Sequence, residues 1–178
     1  PRVAQAYPDN VKDFFETGIK ASTSLAIQDA SDRGSVRFSY TNNDYKGIIP
    51  SSTLVSHNFN LRGVMNLSDK LTVDAKATYF TQEVNNRQFM GGEGIMGSLY
   101  QMPRSVDIRD LEQYQADNPG TAEEFVVRNY AGPNSQTANP YWMANHDTQR
   151  ERRNRFFGFA KVNYEFTDWL SAFVRVGA

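Results

Sequence analysis

Apolar and polar residues alternate along six stretches of this chain: Ile19–Gln28, Ser35–Asn43, Asn58–Asn66, Leu71–Val84, Arg155–Phe166 and Leu170–Gly177. A period of two predicts β-strands, because successive strand side chains point to opposite faces. Ile19, Leu25 and Ile27 share one face with Val36, Phe38, Tyr40, Phe59, Leu61, Met65, Val73, Tyr79, Phe156, Val162, Tyr164, Phe166, Leu170, Val174 and Val176. The other face carries Lys20, Arg37, Arg62, Asp74, Lys76, Lys161, Glu165 and Arg175 among serine, threonine and asparagine. The fifth stretch is the least regular, since Phe157 and Phe159 fall on this second face.

The links between the stretches alternate in length. Asp29–Gly34, Leu67–Lys70 and Thr167–Trp169 are short, whereas Asp44–His57 is longer and Asn85–Asn154 is very long. Consecutive antiparallel strands put odd and even links at opposite ends of a sheet. Tight turns at one end and large loops at the other are how transmembrane β-barrels are built. Tyr40, Tyr79, Tyr164, Phe166 and Trp169 fall near strand ends, where interfacial aromatic girdles lie in such barrels. A soluble β-sandwich shares the alternation, so periodicity leaves both architectures open. Six strands are too few to close a lipid-facing barrel, whose usual minimum is about 8. In a membrane the chain would therefore be one segment of a larger wall. The last strand pattern running up to the final residue carries the same expectation of a longer polypeptide.

Within Asn85–Asn154, several shorter patterns suggest a partly helical loop. Gly91-Gly92-Glu93-Gly94 precedes an apolar run, Ile95–Met102. Ser105–Gln115 is expected to form a short helix with Val106, Ile108, Leu111 and Tyr114 on its apolar side. Gly120–Asn129 is expected to form another, with Thr121 as a cap ahead of Glu123 and Glu124. Asn139-Pro140-Tyr141-Trp142-Met143 is a dense aromatic patch, which either packs the loop's own core or contacts a sugar or a partner.

Composition narrows the classes. The net charge of −1 gives no electrostatic case for nucleic acid. Mean hydropathy is −0.61, and no run of about 18 apolar residues can cross a bilayer as a helix. Barrel strands escape that test, because only every second residue meets lipid. The absence of cysteine removes disulfides, thiolate metal sites and a cysteine nucleophile. His57 and His146 lack metal-ligand spacing, and the glycine-rich run lacks the lysine and βαβ context of a phosphate loop. No catalytic, cofactor or metal constellation emerges, so an enzyme is not expected. The one dense basic run, Arg150-Glu151-Arg152-Arg153-Asn154-Arg155, reads as a solvated rim or as an attractor of anions. Tyr141, Trp142, Arg152 and Arg153 are the candidate substrate or partner contacts.

Several segments taken together resemble a known family. Asp9-Asn10-Val11-Lys12-Asp13-Phe14-Phe15-Glu16-Thr17-Gly18 is similar to the stretch leading into an early barrel strand of SusC/RagA-type TonB-dependent transporters of Bacteroidetes. Ser35–Tyr40 with Lys46–Ser52 resembles the next strand and its loop, and Asn66–Val73 the turn that follows. Arg153–Phe156 and Thr167–Leu170 resemble a later strand start and turn. The resemblance runs in order along nearly the whole chain and departs most in the long loop. It implies an all-β fold: an antiparallel transmembrane β-barrel segment, roughly the second to seventh strands of a barrel of about 22 strands. Residues 1–178 would then be a partial barrel domain without its plug, and 85–154 a long extracellular loop. The resemblance also implies the outer membrane, drive from TonB through absent N-terminal parts, and a SusD-like surface lipoprotein partner. The cargo it implies is an oligosaccharide or a peptide. The short links would face the periplasm. The alternative that stays open is a soluble β-sandwich glycan-binding module.

Overall fold

A computed structural model of the chain describes residues 5–89, 91–92, 94–117, 125–127, 130, 139–147 and 149–178. The order of elements is α1 (Asn10–Phe14), β1 (Ile19–Ser31), β2 (Gly34–Lys46), β3 (Thr53–Ser68), β4 (Leu71–Asn85), α2 (Ile95–Gln101), a 3-10 turn (Ile108–Leu111), β5 (Gln115–Asp117), β6 (Phe125–Val127), α3 (Pro140–His146), β7 (Arg150–Thr167) and β8 (Leu170–Gly177). All six expected strands form. They make one open antiparallel sheet in the order β1-β2-β3-β4-β7-β8, leaving β1 and β8 as edges. Most strands extend beyond the alternating core of the sequence, and β7 begins at Arg150 rather than Arg155.

Chain contacts divide the protein into two compact units. One comprises Lys20–Asp44, Val55–Glu83 and Arg152–Ala178, and the other comprises described residues of Pro1–Ile19, Tyr45–Leu54 and Val84–Glu151.

In the first unit, the short links shrink to two residues each: Asp32-Arg33, Asp69-Lys70 and Asp168-Trp169. Ser68 Oγ accepts from the Lys70 N–H at 3.3 Å, so side-chain chemistry satisfies the turn locally. Gly34 leaves the first turn with a φ of 150°, and a Cβ there would lie 2.2 Å from the Val64 carbonyl oxygen. Only glycine fits that close approach of β2 to β3. Gly158 is similar: a Cβ would stand 2.3 Å from the Lys76 carbonyl oxygen, so its absence lets β7 lie against β4.

The second unit has a small core of its own. Phe14, Ile95, Leu99, Met102, Ile108, Leu111, Met143 and Ala144 are buried together. The apolar run beginning at Ile95 supplies α2, whose Ile95 and Leu99 lie four residues apart on the buried side. The helix expected over Ser105–Gln115 is reduced to one 3-10 turn. Asp107 caps it by accepting from Arg109 N, Ile108 and Leu111 reach the core at three-residue spacing, and Gln115 already belongs to a strand. The helix expected over Gly120–Asn129 is also corrected. Phe125-Val126-Val127 is a strand paired antiparallel with Gln115–Asp117, as suits its β-branched valines. Thr121, Glu123 and Glu124 lie outside the described residues.

Three buried asparagines clip this unit together. Asn10 donates to the Val106 carbonyl at 2.7 Å and accepts from the Ile108 N–H at 3.1 Å. Asn139, fully buried, caps α3 through Tyr141 N and Trp142 N and donates to the Leu111 carbonyl at 2.9 Å. Asn86 adopts a φ of 59° and donates to the carbonyls of Pro50 and Ala144. Asparagine tolerates that left-handed backbone better than most residues.

Gly34→Ala is expected to cost about 1–3 kcal/mol, the order of one strained backbone position. Gly63→Ala, with nothing within 4 Å of its Cβ position, should stay within about 0.5 kcal/mol. Denaturant midpoints of the two variants check this, and equal effects would refute the close-approach role of Gly34.

Candidate functional site

Cross-strand hydrogen bonds sort the two faces of the sheet in the first unit. Ser22 Oγ donates to Asn43 Oδ1 at 2.8 Å, and Asn43 Nδ2 donates to Ser56 Oγ at 3.2 Å. The Ser24 and Thr41 hydroxyls bond at 3.0 Å, and Arg37 reaches Gln28 at 3.4 Å. Thr78 Oγ1 donates to Asn60 Oδ1 at 2.8 Å, while Asn60 Nδ2 donates to Asn58 Oδ1. Arg62 grips Asp74 with two parallel bonds of 3.0 and 2.9 Å. Every residue here belongs to the face read as polar, and nearly all of these bonds join neighbouring strands.

The apolar face shows the complementary order. Tyr40, Phe59 and Tyr79 form a row across β2, β3 and β4, with ring centroids 4.8 and 6.3 Å apart. Tyr40 also holds His57 through its hydroxyl at 2.8 Å from Nδ1. Tyr164 and Phe166 form a second aromatic pair at 4.8 Å, and the Glu165 N–H between them bonds the Lys70 carbonyl beside the β3–β4 turn. Thus one aromatic group lies beside the turns, whereas Tyr40 and Tyr79, expected near strand ends, lie mid-strand because β2 and β4 run on to Lys46 and Asn85.

Along β3 and β4, burial of the two faces is inverted relative to an ordinary sheet in water, whereas β1 and β8 are exposed on both faces. Along β3 and β4 the polar-face residues Asn58, Asn60, Asp74 and Lys76 are half-buried, and Thr78 is only 2% exposed. On the apolar face, Leu61 is 50%, Met65 57% and Tyr79 42% exposed. Ile27, Phe156 and Val174 exceed 60%.

The candidate contacts read from sequence divide between the two units. Tyr141 packs its ring 5.0 Å from Phe14, and its hydroxyl lies 3.5 Å from Glu112 Oε1. Its phenol is pushed up to about 12, first by burial and then by the Glu112 carboxylate. Trp142 packs against the loop core and 5.4 Å from His146, which also meets the Tyr114 ring edge-on. Both aromatics are half-buried against the loop's own core. Arg152 pairs with Glu83 at 2.9 Å. Arg153, its neighbour in β7, is exposed, and strand alternation sends the two side chains to opposite faces. The basic run is therefore divided between the two faces of β7.

Sequence reading placed Lys161 and Arg175 on the polar face, but missed that the β7–β8 register sets them directly opposite each other. The short Thr167–Trp169 link was the available signal, since a tight hairpin fixes register. The clips of Asn10 and Asn86 had no signal, because their partners are backbone groups distant in sequence, whereas Asn139 ahead of Pro140 carries the local signature of a helix cap. Among the described residues, no group of His, Cys, Asp or Glu could hold a metal ion. No protein-family model matches the chain, and no curated protein matches it.

The raised Tyr141 phenol gives a sign to the loop's alkaline stability. Because its pKa in the folded chain, about 12, exceeds the ordinary 10.0, the contribution of neutral Tyr141 is full below pH 10.0 and is lost as pH rises through about 12. In a tyrosinate absorbance titration, Tyr141→Phe should remove one late step; removal of a step near 10.0 would contradict this environment.

Proposed function

We propose that the chain is a wall segment of an outer-membrane β-barrel importer, with its apolar face toward lipid and its polar face toward the transport passage. The inverted burial carries this reading. A sheet in water packs its apolar face and solvates its polar one. Here large apolar side chains of the apolar face stay exposed on all six strands of the main sheet, while polar side chains bond one another across the other face and are partly sequestered along β3 and β4. An exposed apolar surface of this extent marks a face that another phase or partner covers. For a sandwich, a second sheet would have to cover it. Among the described residues, the only strands outside the main sheet are β5 and β6, of three residues each.

The distribution of the band supports lipid rather than protein as the cover. Leu71 to Tyr79 spans eight residue steps, about 27 Å along a strand at 3.4 Å each. At the tilt of about 35–45° usual in such barrels this projects to about 19–22 Å, the order of the apolar height of about 25 Å of an outer-membrane barrel. Beyond Tyr79 the same face of β4 turns charged at Glu83, which pairs with Arg152. Unpaired edges do not persist in hydrocarbon, so β1 and β8 would each need a further strand beside them.

The resemblance to SusC/RagA-type transporters supplies the rest of the reading. The whole assembly would take up oligosaccharides or peptides, driven by TonB, with a SusD-like lipoprotein at the outward side. Residues 85–154 would then be an extracellular loop with a folded core.

Fractionation tests the proposal: the native protein should be recovered with outer membranes and resist extraction by salt. Recovery in the soluble fraction overturns it. Leu61→Arg should cost about 2–4 kcal/mol of stability in the bilayer, whereas Arg62→Ala should leave insertion intact. Tolerance of Leu61→Arg in refolding into lipid would reverse the assignment of faces.

A further inference from the structure

The polar face breaks a rule of sheet pairing at one place. Lys161 on β7 and Arg175 on β8 are direct cross-strand partners. Like charges directly opposite on one face repel and destabilise the pair, with Cβ atoms only about 4.5–5.5 Å apart. The neighbouring residues hold this arrangement without cancelling it. Lys161 Nζ sits 4.5 Å from the centre of the Phe173 ring, and the Arg175 guanidinium 4.0 Å from that of Phe159. An aromatic face attracts a cation but brings no formal charge. It fixes the two side chains in place and leaves their positive field intact.

The carboxylate that acts on this pair is already engaged. Asp74 is within electrostatic reach of both Lys161 and Arg175, yet both its oxygens are held by Arg62. Arg62 is thus paired with that carboxylate, and the opposed Lys161 and Arg175 add two further positive charges to the same face. Glu165 lies four residues along β7 from Lys161, about 13 Å away at strand spacing. A sheet that keeps a costly cation pair on rigid strands, with aromatic support and too little acid to neutralise it, has the features of a preorganised anion site.

We propose that Lys161, Arg175 and Arg62 form a binding site for carboxylate-bearing oligomers. An incoming carboxylate bridges Lys161 and Arg175, relieves their repulsion, and competes with Asp74 for Arg62. As a statement about cargo the inference rests on the importer reading, but as an anion site it does not.

The test is binding by the intact protein in uncharged detergent micelles, with oligogalacturonate, neutral malto-oligosaccharide and oligoglutamate as probes. Oligogalacturonate should bind, the neutral sugar should bind at least about tenfold more weakly, and added salt should weaken the acidic probe. Binding of oligoglutamate as well would show that the carboxylate is what is recognised, and its failure would narrow the site to uronic sugars. Lys161→Gln and Arg175→Gln should each lower affinity by roughly five- to tenfold, as for loss of one charge-assisted contact. Asp74→Asn should act in the opposite direction and raise affinity, which a merely structural role would not do. Arg37→Gln, on the same face but bonded to Gln28, should change little. Equal affinity for acidic and neutral sugars, an Arg37→Gln loss as large as that of Lys161→Gln, or weakened binding in a folded Asp74→Asn protein would each overturn the proposal. If the protein fractionates as soluble yet binds oligogalacturonate, the importer reading fails and the anion site stands. Membrane recovery without that binding gives the converse.

Discussion

Strand alternation is the constraint on which the rest of this protein depends. Each residue choice on β1–β4, β7 and β8 is a choice of face, and a shift of register by one would exchange the two faces. The hydrogen-bonded polar residues resist such a shift. Ser22 with Asn43, Asn43 with Ser56, Thr78 with Asn60, and Arg62 with Asp74 meet only in the observed register. The apolar side chains need no specific partner, since they turn outward from the sheet. Register information thus resides on the polar face, whereas in a soluble sheet it usually comes from the packed one. Loss of a polar pair is therefore a loss of alignment as much as of energy, and the same pairs line the passage of the proposed importer.

The loop-bearing unit follows a different logic. Its core is small, and among the described residues its α-helices are of five to seven residues, too short to hold without tertiary support. Buried asparagine side chains provide the missing order by taking the place of backbone partners. Asn10 satisfies a donor and an acceptor of another segment, Asn139 caps its own helix and donates to the Leu111 carbonyl, and Asn86 ties the chain leaving β4 to Pro50 and Ala144. Each such bond is worth most where water cannot replace it. Tyr141 and Trp142, the most conspicuous aromatics of the sequence, belong to this internal framework.

What could be read from sequence follows the range of the forces involved. The six strands were legible because alternation is local and repeated, and their faces were legible for the same reason. Strand ends were less so: β7 absorbs Arg150–Asn154, whose charges hide a strand that continues past its apolar stretch. The loop was read worst. Ser105–Gln115 has helical spacing, but the Asp107 cap and the departure into β5 cut it to one turn. Phe125–Val127 was assigned to a helix from a cap and two glutamates, although its own residues favour a strand. At the candidate site, the identity of the cations was legible and their opposition was not, because opposition is a property of two strands.

Arg87 has a bearing on how such a sheet can assemble. Its N–H bonds the Gln149 carbonyl at 3.2 Å, and its guanidinium meets Glu151 at 2.9 Å, which clasps the two ends of the long excursion together. Every other neighbour in the sheet is reached through a tight turn or a short loop, but β4 and β7 are separated by the whole of that excursion. Closing a long flexible loop carries an entropic cost that slows non-local pairing. Once the loop has folded and its stem is clasped, β7 starts beside the end of β4, and the long excursion behaves kinetically like one more short connection.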